Sequence, residues 1–116
     1  MAYRCTDPSK KGKRLYEVHC ANCHGEEGQG LAQLYPPLAN SDYLEAHATE
    51  LPCIILNGIE GEILVNGVSY NQQMLGHPEL SDAQIANITN YVVRQWVPSR
   101  PAPTPKDLKA WADGCN

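Results

Sequence analysis

Five residues, Cys20-Ala21-Asn22-Cys23-His24, place two thiols three positions apart with an imidazole directly after the second. Thiols at that spacing can both reach the vinyl groups on one edge of a porphyrin and add across them as thioethers. The adjacent imidazole is then delivered to the iron from the same face. Two other chemistries use similar residues. A redox-active dithiol expects an α/β setting, and a zinc site needs a second ligand pair, whereas the sequence holds no other C-x-x-C and no H-x-x-x-H. The motif therefore reads as an attachment site for one covalent haem c, held by Cys20 and Cys23, with His24 as the first iron ligand.

A six-coordinate electron-transfer haem needs a second axial ligand, and Met74, His77, His19 and His47 are the choices, with Met1 at the terminus. Met74 is the expected one. It lies in Tyr70-Asn71-Gln72-Gln73-Met74-Leu75-Gly76, a stretch rich in amides that should form a loop able to lay sulfur on iron. A lone methionine is ordinarily a core filler, but this is the only one inside the chain. His77 is followed by Pro78 and is expected on the surface just before the last long helix.

Composition bounds what can surround such a site. At 116 residues the chain suits one domain, 1–116, with a core over about 9–97 and a Pro-rich extension over 98–116. Hydrophobic residues make up 42% and charged residues 19%, which argues against disorder, and no apolar run approaches the roughly 20 residues of a membrane-spanning helix. Any membrane contact should come through a partner or an anchor outside the sequence. The formal charge of −4 lacks the broad basic surface of a nucleic-acid binder, which excludes that class. Phe is absent and aromatics total 7%, so a flat apolar cofactor would help to fill so lean a core. Met1-Ala-Tyr-Arg-Cys has no apolar core segment, which reads as the start of a mature domain.

The elements that must position the motif follow from local patterns. A first helix is predicted from near Ser9, as its cap after Pro8, through Leu15 and Val18 to Cys20, with Lys10, Lys11, Lys13 and Arg14 on its solvated side. Residues 25–40 lack any sustained period and read as a wrapping loop. Ser41 should cap a short helix through Leu44. Thr49 should cap another, with Pro52 in its first turn, Cys53 to Leu56 buried and Gly58 at its end. Asn66-Gly67 between β-prone runs predicts a two-residue hairpin. The last long helix begins with a Ser81/Gln84 capping box, lines Ile85, Ile88, Val92 and Trp96 along one face, stops at Pro98 and should pack across the first. Four prolines from Pro98 to Pro105 should keep the tail extended before a short helix over Lys106 to Ala112.

From about Lys11 to Trp96 the chain resembles a class I monohaem cytochrome c of bacterial respiratory chains. Leu15-Tyr16, Cys20 to Gly25, Pro36-Pro37-Leu38, Tyr70 to Met74 and Leu80-Ser81-Asp82 to Trp96 carry the likeness. Val65-Asn66-Gly67 and Tyr70-Asn71 are similar to monohaem domains fused to copper nitrite reductases or serving terminal oxidases. The resemblance implies an all-α cytochrome c fold with a small β-hairpin before the distal-ligand loop and an extended C-terminal tail. It implies an electron carrier, or an electron-transfer domain of a larger oxidoreductase, and not an enzyme in its own right. His/Met ligation should give a positive potential, because soft sulfur favours ferrous iron. A carbonyl of the Pro36-Pro37 segment would hold the free nitrogen of His24, without the sequence deciding which proline. Tyr70, Asn71 or Trp96 would touch propionates or ring edges, against their ordinary roles in hairpin, loop and helix core.

Expected partners are redox proteins: a terminal oxidase, a nitrite reductase or a quinol-oxidising complex. The expected compartment is the periplasm or the outer face of the bacterial cytoplasmic membrane. The acidic balance points to a partner unlike those of lysine-ringed mitochondrial cytochromes. An alternative is a peroxidase or gas-sensing domain in which Met74 is labile, and a non-haem alternative is a thiol oxidoreductase. In an oxidising compartment, Cys5 and Cys115 flank the first and last helices, and the expectation is a Cys5–Cys115 disulfide with Cys53 as a buried inert thiol. Cys5 as a lipid anchor is disfavoured by Arg4 before it.

Overall fold

Helix α1 (Pro8–His19) meets the long helix α5 (Asp82–Trp96) in the principal helix crossing of the molecule. The structure, a computed structural model, describes residues 8–115. Gly12 makes the crossing close: a methyl group there would run into the Asn87 carbonyl and lie 2.8 Å from Tyr91 Cβ. One turn on, Tyr16 is fully buried, with its ring centroid 5.5 Å from Tyr91 and 5.2 Å from Trp96. Ile85, Ile88, Val92 and Val93 of α5 complete this layer, each such side chain contributing about 1.5–3 kcal/mol through burial.

Helix α5 starts as its sequence requires, with Ser81 Oγ accepting from Gln84 N and Gln84 Oε1 accepting from Ser81 N. Helix α1 does not. It begins at Pro8, suited to a first helical position because its missing N–H is not needed there, so Ser9 lies inside the helix. Val18 is 66% exposed, and Tyr16 is the residue that faces the core.

Four residues, Ala21–His24, form the short helix α2. Helix α3 (Asp42–His47) is capped by Ser41, whose Oγ accepts from Leu44 N. A 3-10 turn over Ala48–Glu50 absorbs Thr49, which therefore does not cap helix α4 (Leu51–Asn57), and Gly58 ends α4 at φ +78°. Helices dominate, as expected, and the small β structure goes beyond the one expected hairpin. Strands β1 (Gly58–Ile59), β2 (Ile63–Val65), β3 (Val68–Tyr70) and β4 (Met74–Leu75) form two two-stranded antiparallel sheets, β2–β3 and β1–β4. The first is the hairpin around Asn66-Gly67, whose φ values of +54° and +80° suit a type I′ turn. Its tip is clasped to α3 by two bonds, Asp42 N to Asn66 Oδ1 and Asn66 N to Asp42 Oδ1. The β1–β4 pair, with Ile59 opposite Met74, has no counterpart in the sequence patterns.

Residues 98–104 run without regular structure to helix α6 (Pro105–Asp113), opened by a Thr104/Asp107 capping box. Helix α6 folds back onto α4 and α5, and this overturns the expected cysteine pairing. Cys115 is disulfide-bonded to Cys53, with Cα atoms 5.0 Å apart. Cys53 is thus no inert thiol, and Cys115 is not the partner of Cys5, which itself lies outside the described residues. The physical reason is tertiary: α6 docks against α4, and nothing in local sequence announces that contact.

Candidate haem site

The motif sits where α1 gives way to α2. Cys20 N donates to Tyr16 O at 2.8 Å, ending α1, and His24 N donates to Cys20 O at 3.0 Å, closing the turn that carries all three functional side chains. Cys20 and Cys23 are half-buried and unbridged. Burial, with the neighbouring Cys23 adding to it, pushes the Cys20 thiol up to about 12. A redox-active dithiol depends on a lowered thiol pKa, and the Cys20 thiol is shifted the opposite way.

His24 decides the other half of the chemistry. Its Nδ1 lies 2.9 Å from the Pro36 carbonyl oxygen, which also settles which of the two prolines faces the ring. A carbonyl can only accept, so Nδ1 carries the proton and Nε2 keeps its lone pair free for a metal. Burial holds the imidazole below its ordinary pKa, with the Pro36 bond opposing, and the ring is the neutral form that ligation needs.

The loop that presents Pro36 is folded by its own backbone bonds. Gly30 N donates to His24 O at 2.7 Å, and Gly28 O accepts from both Leu38 N and Ala39 N. Gly30 has φ +73°, and a methyl group there would lie 2.6 Å from Tyr35 O and 2.8 Å from Pro36 C. Only glycine lets this strand pass so near the acceptor of His24. Tyr16 adds a second tie, its buried hydroxyl donating to Gly25 O at 2.7 Å. Neither role was read from sequence. The signals were an aromatic four residues before the first cysteine and a glycine six residues after the histidine, and both have commoner meanings.

The other expected residues lie on separate elements. Met74 is half-buried on β4, Tyr70 is buried on β3 opposite Ile63, and Asn71 is exposed just beyond it. Trp96 packs on Tyr16 and Tyr91 and closes over Gly28. His77, expected on the surface, is only 22% exposed.

Residues 9–96 match the family model described as Cytochrome c. This chain belongs to the cytochrome c family. Among relatives of this cytochrome, two forms of cytochrome c-552 from Thermus thermophilus are 35% identical over 89 residues, 73% of this chain. The match covers 67% of one relative and 60% of the other. The cytochrome c subunit of the quinone alcohol dehydrogenase of Gluconacetobacter polyoxogenes is 34% identical over 92 residues, 76% of this chain but 19% of that subunit. The cytochrome binds covalent haem c, and one C-x-x-C-H motif means one haem. Two unbridged thiols and a neutral imidazole with a free Nε2 are the donor set that group requires.

Proposed function

We propose that this cytochrome transfers one electron at a time through a haem thioether-linked to Cys20 and Cys23, with His24 Nε2 and the Met74 sulfur as axial ligands. The bond between His24 Nδ1 and Pro36 O carries the reading, because it fixes the tautomer and leaves one nitrogen for iron. The haem supplies a reversible one-electron couple. The chain's own residues hold the imidazole, cover the porphyrin with apolar surface and exclude water. Leu31 and Leu34, on the loop that carries Pro36, and Leu75, beside Met74, are large apolar side chains left exposed, as a cofactor's neighbours would be.

The case for Met74 over the histidines rests on what the histidines already do. His47 stacks on Tyr43 at 4.1 Å and bonds Glu50 through Nδ1. His77 bonds Glu79 through Nδ1 and packs edge-on against His19. Tyr70 and Asn71, next to the Met74 segment, would meet the ring edge or a propionate. The acceptor is a redox protein, a terminal oxidase or reductase, in the periplasm or at the outer face of the bacterial cytoplasmic membrane. The name of the Gluconacetobacter relative, a subunit of a quinone alcohol dehydrogenase, supports such an assembly.

Optical spectroscopy of the oxidised protein, with pyridine haemochrome analysis, tests this. One c-type haem per chain and the weak far-red iron–sulfur band are expected at neutral pH, and Met74→Ala should abolish the band and lower the potential. Absence of the band from the unmutated protein would overturn Met74 as ligand and favour a peroxidase or gas-binding domain.

A further inference from the structure

We propose a second metal site, separate from the haem, in which His19, His77 and Glu79 bind one divalent zinc-type ion. Each of these residues offers a ligand atom, and the three atoms lie within 4.8 Å of one another, the one such grouping among the described residues. The two imidazole rings are 5.6 Å apart between centroids at 69°, and His77 Nδ1 is 3.1 Å from Glu79 Oε2. Two imidazoles and one carboxylate form a ligand set suited to zinc, with water in the fourth position.

Much of the arrangement is already held. His77 N donates to Ile55 O at 2.8 Å, tying its backbone to α4, and Leu80 N donates to His77 O at 3.1 Å, closing the turn that aims Glu79 at the ring. His19 is the last residue of α1. Zinc–ligand bonds of about 2.0–2.1 Å place tetrahedral ligand atoms about 3.3 Å apart, so closure asks for a contraction that rotation of the exposed Glu79 and the half-buried rings supplies. The site has a consequence for the cytochrome because of its neighbours in sequence. His19 precedes Cys20, and His77 lies three residues past Met74. An ion bound here braces the end of α1 against the segment that carries Met74 and sets positive charge beside the haem attachment.

Calorimetric titration of the oxidised holoprotein with zinc chloride, in a buffer that does not chelate, tests the site. One equivalent should bind saturably in the micromolar range. His19→Gln and His77→Gln should each weaken binding at least about tenfold, Glu79→Gln should weaken it by a smaller factor, and His47→Gln should leave it alone. Zinc saturation should leave the haem's visible spectrum unchanged. No saturable binding up to millimolar zinc, or binding that survives both His19→Gln and His77→Gln, overturns the site. So does a visible spectrum that changes as zinc binds, because the ion is then taking an iron ligand.

Discussion

The side of the site built by the C-x-x-C-H motif and the segment that carries Met74 are held in place by different means. On the motif side, bonds among residues 16–36 do the work: Tyr16 to Gly25, Gly30 to His24 and His24 to Pro36, all resting on the α1–α5 crossing. The Met74 segment has little structure of its own. Its two-residue strand pairs with β1, and His77 N reaches back to Ile55 O, so both attachments run through α4 and its continuation. Helix α4 is fixed in turn to α6 by Cys53–Cys115. Rigidity is local on one side and relayed from the C-terminal region on the other. The two sides should therefore fail separately.

The largest effect expected is from Cys115→Ser. Losing a cross-link between residues 62 apart should cost about 4 kcal/mol in the chain-entropy model, read by denaturant unfolding. Amides of Met74, Leu75 and His77 should lose hydrogen-exchange protection before those of α1 and α5, and equal loss on both sides would break the comparison. Gly30→Val comes next. A branched side chain at φ +73° against Tyr35 and Pro36 should cost about 3 kcal/mol. Its spectroscopic mark should be a shifted His24 Nδ1–H resonance with the iron–sulfur band retained.

Tyr16→Phe removes one of the two donors to the Gly25 carbonyl, which keeps Gly28 N, and should cost about 1 kcal/mol, again with the damage confined to the motif side in exchange measurements. The smallest is Ser81→Ala, which removes an N-cap worth about 1 kcal/mol. It should lower the melting temperature without moving either side of the site relative to the other. A change in the haem spectrum there would show the helical frame to be less independent of the site than the geometry indicates.

What could be read from the sequence is what short-range spacing encodes. The haem motif, the Ser81/Gln84 box and the Asn66-Gly67 turn each depend on residues at most four apart, and the structure places each as expected. The Pro36 acceptor was half visible: the family resemblance pointed to the segment, and only the 2.9 Å contact chose between two prolines. Long-range docking was invisible. Cys53 meets Cys115 because α6 turns back on α4, and the His19–His77 approach needs α1 to end beside the turn after β4. Gly12 shows the same limit, since a glycine inside a helix reads as a weakness of about 1 kcal/mol until its close partner on α5 is known.

The acceptor facing His24 belongs to a Pro-Pro pair, and each pyrrolidine ring locks one backbone torsion near about −65°. A carbonyl so constrained has little freedom to swing when the imidazole opposite becomes more acidic or less so. The ring should therefore find the same partner in the same place in both oxidation states. Small nuclear displacement on either side of the exchange would mean a low reorganisation energy, and a double proline in a loop would thereby help to set how fast the molecule gives its electron away.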